Sequence, residues 1–206
     1  HIFMKVITFL NSKGGVGKST LISNIISQAY EMNFKIVYSD LDKQKSLSSW
    51  AKKTKNLKKI DSDRFEKKEI IKNSDNDFLF IDSPASIKEK LLELLIELSD
   101  TIIIPTSDSN IELNACKKFL KRINKFKRVL KKKVKIIPVI NRIRYSKKIH
   151  DIILNSELII KENFGAWFPM TKQFDDQMSK GSWIGVSSYK QKQLVTQQLI
   201  RLIKSL

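Results

Sequence analysis

The chain has 206 residues, which is enough for one well-buried domain and short for two. Its single cysteine, Cys116, cannot supply an internal disulfide framework or a cysteine-rich metal site. The start shows no signal-peptide pattern, and no stretch reaches the roughly 18 unbroken apolar residues of a membrane-spanning helix. We therefore predict a cytoplasmic protein with a single domain over residues 4–206, and we expect residues 1–3 to be a remnant left by cloning ahead of Met4.

The net charge of +18 is concentrated in one region of the chain. Between Leu113 and His150 the sequence contains 15 Lys and Arg residues and no Asp or Glu. A region of this kind is typical of proteins that bind a polyanion, either nucleic acid or an anionic membrane surface. The alternative is a lysine-rich composition that places these side chains on a solvated face. The missing carboxylates favour polyanion binding, because enrichment in lysine alone would not remove them.

Apolar segments rich in β-branched residues alternate along the chain with segments of helical spacing. This order predicts an α/β fold, a doubly wound, mostly parallel sheet with helices on both faces. Ligands of such sheets bind at the carboxyl ends of the strands, so polar residues that directly follow a strand are candidate site residues. The most polar stretch, residues 52–76, is predicted to be a short helical excursion. The predicted strands cover residues 4–10, 35–40, 77–82, 100–105 and 134–140.

The first predicted strand leads into the segment NSKGGVGKST, residues 11–20, which nearly matches a phosphate-binding loop. Its three glycines allow backbone N–H groups to turn towards phosphate oxygens at a helix N-terminus, which also favours anions. In such a loop Lys18 bridges the β- and γ-phosphates, and the hydroxyl of Ser19 binds Mg²⁺. The segment therefore predicts a P-loop NTPase.

Two features distinguish this loop from the general motif. Ser12 stands where the motif has its first glycine, and Lys13 adds a second positive charge. A dinucleotide-binding fingerprint fits poorly, because it would require glycine where Thr20 stands. A P-loop kinase that transfers phosphate to a small acceptor is a further alternative, but it leaves Lys13 without a role.

The segment KGGVGKST, residues 13–20, resembles the deviant Walker A loop of the ParA/MinD family of ATPases. In that family a signature lysine precedes the glycines, and the first glycine of the general motif is often replaced. The resemblance implies that Lys13 reaches across a nucleotide-sandwich dimer to the phosphates bound by the partner. A cation that arrives only on dimerisation would couple ATP binding to assembly. The implied nucleotide contacts in the loop are Lys13, Gly14, Gly15, Val16, Gly17, Lys18, Ser19 and Thr20.

Two further segments carry the resemblance. DLDKQKSLSSW, residues 40–50, looks like the D-x-D-P-Q stretch of the family, and FLFIDSPAS, residues 78–86, looks like its Walker B strand and switch. The resemblance implies that Asp42 orients the attacking water. It also implies that Asp40 supports the metal site and that Asp82 holds Mg²⁺ through a water molecule.

Asn141, which closes the segment VKIIPVIN, matches the asparagine that reads adenine in this family. Its amide offers a donor and an acceptor that suit the base. The alternative is an asparagine that caps the end of a strand.

A short ParA type, similar to ParF, is implied by a loop that begins close to Met4 and leaves no room for the N-terminal helix-turn-helix domain of long ParA proteins. For this type the resemblance implies a slow Mg²⁺-dependent ATPase and an ATP-dependent homodimer that sometimes polymerises. It also implies nonspecific binding of double-stranded DNA at the nucleoid and a centromere-binding adaptor similar to ParB or ParG. The implied function is segregation of plasmid or chromosomal DNA. Lys43 stands where the family usually has proline, which leaves the hydrolysis rate open.

Residues 115–130, within the basic region, are predicted to form a helix with one apolar face. The basic residues elsewhere on this helix would contact DNA phosphates without reading the sequence. The predicted apolar face consists of Phe119, Ile123, Phe126 and Leu130. The predicted DNA-binding residues are Lys121, Lys125, Arg128 and Lys132, with Lys190, Lys192 and Arg201 as the alternative surface.

A membrane-associated ATPase similar to MinD is the alternative function, since residues 193–206 place apolar residues at helical spacing beside basic ones. This stripe is wide and lacks an exposed aromatic residue, which favours a helix packed in the core. An iron–sulfur carrier of the same superfamily would need paired cysteines, which one Cys116 per chain cannot supply. The spaced apolar residues are Val195, Leu199, Leu202 and Leu206.

Overall fold

The computed structural model describes residues 3–11, 14–54, 57–66, 75–143 and 166–206. These residues form one sheet of seven strands, and each strand runs parallel to its neighbours. The strands are β1 (Lys5–Phe9), β2 (Ile36–Asp40), β3 (Lys58–Lys59), β4 (Phe78–Asp82), β5 (Thr101–Thr106), β6 (Lys135–Ile143) and β7 (Ala166–Pro169).

The order of strands across the sheet is β3-β2-β4-β1-β5-β6-β7. The central strand is β1, so its carboxyl end lies between those of β4 and β5. An open parallel sheet binds its ligand at such a point, where the strand order reverses. The five predicted strands and the doubly wound α/β class are confirmed.

Part of the polar stretch predicted as a helical excursion is a strand instead. Lys58 and Lys59 form β3 and pair with β2, and the N–H of Ile60 donates to the carbonyl oxygen of Tyr38 at 2.7 Å. Both lysine side chains are exposed. The strand therefore forms through backbone pairing at the sheet edge, which an apolar pattern could not have indicated. The helical part that the structure describes is a 3₁₀ turn over Ser62–Glu66.

Helices cover both faces of the sheet. They are α1 (Lys18–Glu31), α2 (Ser46–Ala51), α3 (Glu89–Leu98), α4 (Asn110–Val129), α5 (Lys172–Ser179) and α6 (Lys192–Lys204), with a second 3₁₀ turn at Ile184–Val186. One core joins a sheet face to α1, α2, α5 and α6, and the other core joins the opposite face to α3 and α4. Residues of β1 alternate between them, with Ile7 and Phe9 in the first core and Val6 in the second.

The predicted apolar stripe, which spans α6 and the residues after it, packs into the first core. Val195, Leu199 and Leu202 are at most 1% exposed, and Leu206 packs against the same cluster. Within the part of the chain that the structure describes, no helix is both long enough and apolar enough to span a bilayer.

Replacing Leu199 by alanine is expected to lower the free energy of unfolding by about 2–5 kcal/mol, because it removes a fully buried side chain and leaves a cavity. The matched control is Leu194→Ala on the same helix, where the side chain is 37% exposed and the change should stay within about 0.5 kcal/mol. Urea denaturation measures both values. Equal small effects would show that α6 does not pack in the core.

Candidate nucleotide-binding site

The loop between β1 and α1 is described from Gly14 onwards, and the predicted contact Lys13 lies outside the described residues. Gly15 and Gly17 have φ values of 86° and 74°, in the left-handed region that favours glycine. A Cβ on Gly17 would also lie 2.8 Å from the side-chain nitrogen of Asn141. Glycine at this position is therefore required by both the backbone conformation and the close approach of β6.

Two residues at the end of β6 hold the backbone of this loop. Nδ2 of Asn141 donates to the carbonyl oxygen of Val16 at 2.8 Å, and NH1 of Arg142 donates to that of Gly15 at 2.7 Å. Asn141 is 7% exposed, so its hydrogen bond lies in the protein interior. The loop conformation thus depends on a strand that is distant in the sequence.

A buried polar cluster lies where α1 begins. Nζ of Lys18 donates to Oδ1 of Asp82 and to the carbonyl oxygen of Ser83, and Lys18 is 6% exposed. Oγ of Ser19 donates to Oδ2 of Asp82 at 2.6 Å. Burial raises the pKa of the Asp82 carboxyl above its ordinary value, and the Lys18 ammonium and the Ser19 hydroxyl act against this shift. The motifs from two strands therefore meet in one cluster.

Asp40 and Asp42, which follow β2, have different surroundings. Asp40 is 2% exposed, and its two oxygens accept from the backbone N–H groups of Asp42 at 3.1 Å and Ser48 at 2.8 Å. Asp42 lines the cavity in front of the loop, and its Oδ1 accepts from the N–H of Gln44 at 2.9 Å. Asp40 therefore braces the turn that presents Asp42, and its support of a metal site remains a prediction.

Two cavities adjoin the loop and together suit a nucleotide. The larger has a volume of about 540 Å³ and is lined by the loop, by the turn after β2 and by residues 84–86 after β4. The smaller, of about 230 Å³, is lined by Asn141, by residues 169–172 and by Phe174. Gly17, Thr20 and Arg142 line both cavities.

A family model decides what kind of protein carries this site. The model of the CobQ/CobB/MinD/ParA nucleotide binding domain, called CbiA, matches residues 7–181, which include the loop, both acidic segments and Asn141. The chain belongs to this family. Among curated proteins, no sequence matches the chain closely enough to count as a relative.

Solved structures with the same fold include ParA and MinD proteins. MinD of Aquifex aeolicus is 18% identical with a TM-score of 0.76, covering 97% of both chains. A plasmid partition protein of Borrelia burgdorferi bound to AMPPNP is 19% identical with a TM-score of 0.72, covering 98% of this chain and 100% of that one. The pNOB8 ParA bound to nonspecific DNA is 16% identical with a TM-score of 0.62, covering 98% and 99%. At these identities the likeness establishes the fold.

The basic helix of this ParA/MinD family member is α4, which begins five residues before the predicted start. Its cap is Ser109, whose side chain accepts from the N–H of Glu112 at 3.2 Å. The predicted apolar face is confirmed, since Phe119 and Ile123 are buried and the other two residues pack against the same core. The predicted DNA-binding residues Lys121, Lys125 and Arg128 are exposed, and Lys132 is half-buried. In the alternative set, Lys190 and Arg201 are exposed and Lys192 is half-buried.

The sequence did not predict that Arg142 and α5 contribute to the candidate nucleotide-binding site. NH2 of Arg142 lies 3.7 Å from Oδ1 of Asp175 on α5, and Oγ1 of Thr20 lies 3.5 Å from the same oxygen. Thr20, predicted as a nucleotide contact, therefore also contacts α5. The only signal in the sequence was the position of Arg142 directly after Asn141.

Proposed function

We propose that this ParA/MinD family protein is a DNA partition ATPase. It binds and slowly hydrolyses ATP with Mg²⁺, forms a nucleotide-sandwich dimer and binds double-stranded DNA without sequence preference. The observation that carries the proposal is the buried cluster of Lys18, Ser19 and Asp82, in which Lys18 and Ser19 line the cavity of about 540 Å³. The same chain carries the basic helix α4. Its proposed partner is a centromere-binding adaptor of the ParB or ParG kind, and its proposed location is the nucleoid.

The donor set of the cluster suits Mg²⁺. One carboxylate and one hydroxyl, 2.6 Å apart, come from Asp82 and Ser19, and Mg²⁺ typically takes one or two carboxylates while phosphates and waters fill its other positions. When bound, Mg²⁺ neutralises charge that develops on the phosphate oxygens. Lys18 supplies a second positive charge at the same place, for the β- and γ-phosphates.

Hydrolysis and base recognition are assigned to residues around the two cavities. Asp42 lines the larger cavity as an acceptor that can orient water for attack. Lys43, exposed beside it, adds a positive charge to the same lining where the family usually has proline. Asn141 lines the smaller cavity, where its carboxamide is proposed to face adenine.

Lys13 is proposed to act in the partner's site. Lys13→Ala should still bind ATP, because the loop backbone and Lys18 remain, but it should fail to form the ATP dimer. Sedimentation velocity with a non-hydrolysable ATP analogue measures the dimer, and Lys90→Ala, which replaces an exposed lysine on α3, is the control. A dimer of normal affinity in Lys13→Ala would reduce Lys13 to a contact within its own site.

The basic surface of α4 is proposed to bind DNA through phosphates. Such contacts release counterions and carry no sequence information, so affinity should fall with salt and vary little between duplexes. A dimer presents this surface twice, and ATP should therefore strengthen binding through effective concentration.

Charge reversal of Lys121, Lys125 and Arg128 to glutamate tests this surface. Affinity for unrelated duplexes should fall about equally, and the slope of log affinity against log salt should flatten by roughly one unit per lost phosphate contact. Fluorescence anisotropy measures both quantities, and ATP-driven dimerisation should survive. The matched control reverses Lys190 and Arg201, which are exposed at the alternative surface. If the control loses affinity and the α4 variant does not, the DNA surface is the alternative one, formed by α6 and the turn before it.

The second candidate is a membrane-associated ATPase similar to MinD, since MinD of Aquifex aeolicus shares the fold with a TM-score of 0.76. An interfacial anchor needs a free apolar face. The apolar residues Val195, Leu199, Leu202 and Ile203 of α6 are instead buried in the core, which supports DNA over a membrane as the polyanion. Sedimentation with anionic liposomes and ATP discriminates the two, since only the second candidate predicts a protein that pellets.

A further inference from the structure

Three successive carbonyl groups of the phosphate loop are held by two residues at the end of β6. NH1 of Arg142 donates to the oxygen of Gly15 at 2.7 Å, and Nδ2 of Asn141 donates to the oxygens of Val16 at 2.8 Å and Gly17 at 3.4 Å. Of these two residues, Asn141 was predicted from the sequence for another role and Arg142 was not predicted at all.

Holding a carbonyl also fixes the next amide group. In a planar trans peptide the C=O of one residue and the N–H of the next point in opposite directions, and the described residues contain no cis peptide bond. Because the Gly15 oxygen points to Arg142, the N–H of Val16 is fixed in the opposite direction, away from Arg142. Backbone N–H groups with a fixed direction are what a phosphate loop offers to phosphate oxygens.

The backbone of β6 is distorted where it presents Arg142. The pairing of β6 with β7 shifts register between Ile140 and Ile143, and Arg142 has a φ of 59°. A left-handed conformation is costly for a residue with a side chain and persists where surrounding contacts fix it. Irregularities of this kind turn a side chain to a new direction, and here the side chain lies over the loop.

Helix α5 holds the other end of the guanidinium. Oδ1 of Asp175 lies 3.7 Å from NH2 of Arg142 and 3.5 Å from the hydroxyl of Thr20. Asp175 is 60% exposed, so its contribution is small and acts by orientation. The guanidinium thus joins the phosphate loop to α5.

We propose that Arg142 is a positioning residue that sets the Gly15–Val16 peptide for the phosphates of a nucleotide before the nucleotide binds, with Asp175 fixing the guanidinium. This inference rests on the proposed nucleotide-binding function. The competing role for Arg142 is simple attraction of a polyanion by its charge. The two roles predict opposite effects for the neutral variant Asp175→Asn, because that change removes a negative charge as well as an anchor.

Calorimetric titration with ADP and Mg²⁺ tests the inference without the complication of the ATP dimer. Arg142→Ala should bind ADP about ten-fold more weakly or worse, since a charge-assisted hydrogen bond that organises the loop is lost. Arg142→Lys should recover part of this loss, because its ammonium can reach one carbonyl but cannot hold two partners in a plane. Asp175→Asn should bind about two- to five-fold more weakly.

The matched control is Arg64→Ala, which removes an exposed arginine that lines neither cavity. Unchanged ADP affinity in Arg142→Ala would overturn the inference. So would tighter ADP binding by Asp175→Asn, which would assign Arg142 the charge role and which can be measured even if Arg142→Ala fails to fold. A wild-type protein that binds no ADP would overturn the proposed function together with the inference, whereas normal wild-type binding with indifferent variants would overturn the inference alone.

Discussion

Replacing Lys18 by alanine is expected to lower the affinity for ATP by at least about 100-fold. The ammonium group is the buried cation nearest to the proposed metal ligand, and the exposed fraction of Lys18 is only 6%. Hydrogen bonds between charged groups are among the strongest contacts in proteins, and Lys18 is expected to make more than one to the phosphates. Calorimetric titration with ATP and Mg²⁺ measures the loss, and Lys90→Ala is the matched exposed control.

The same substitution should also change how the free energy of unfolding depends on pH. Measuring that dependence shows whether the variant is folded. Burial places the pKa of Asp82 in the folded protein above its ordinary value of 3.8, and removing Lys18 should raise it further. A carboxyl with a raised folded pKa favours folding at low pH and costs stability as the pH rises through that pKa. The loss of unfolding free energy in Lys18→Ala relative to the wild type should therefore grow as the pH rises through the folded pKa of Asp82. A folded Lys18→Ala variant that binds ATP normally would contradict the assignment of Lys18.

Replacing Asp42 by alanine is expected to leave ATP binding intact and to reduce hydrolysis by about 100-fold or more. The side chain lines the larger cavity, and Lys18 and Ser19 stay in place to hold the nucleotide. ATP should therefore persist in the site, and the dimer should accumulate. Phosphate release and sedimentation velocity measure the two effects.

Asp42→Asn separates the role of the carboxylate in hydrolysis from its role in the conformation of the turn after β2. Oδ1 of Asp42 accepts from the N–H of Gln44 at 2.9 Å, and an asparagine keeps that acceptor while it loses the carboxylate. The asparagine variant should hydrolyse ATP as slowly as the alanine variant. Hydrolysis at the wild-type rate in Asp42→Asn would show that the carboxylate does not orient the attacking water.

The sequence predicted those strands of the sheet that show a continuous apolar pattern. Strands β1, β2, β4, β5 and β6 are continuous runs of mostly buried residues. In β2, β4 and β5 every residue is buried, and in β1 only the first residue is exposed. Strand β3 could not be predicted, because Lys58 and Lys59 are exposed and pair only through their backbones. Strand β7, four residues long, offered too little pattern to identify. These two strands depend on the sheet edge that receives them.

The candidate site likewise contains residues that the sequence predicted and contacts that it did not. Lys18, Ser19 and Asp82 belong to segments whose spacing implies phosphate and metal binding, and the structure brings them together. The contacts of Arg142 depend on a register shift between β6 and β7 and on a φ of 59°, which no local pattern encodes. The hydrogen bond from Asn141 to Val16 likewise joins residues 125 positions apart. Such contacts arise only after the sheet has formed.

The central claim is that ATP converts the protein into a dimer that binds DNA. Sedimentation velocity of the wild-type protein with ADP, ATP or a non-hydrolysable ATP analogue, each with and without a short duplex of arbitrary sequence, tests it most directly. We expect a monomer with ADP, a dimer with ATP or the analogue, and co-sedimentation with the duplex that is strongest in the dimeric state and weakens as salt increases. A protein whose mass and DNA binding are the same with ADP as with the ATP analogue would contradict the account.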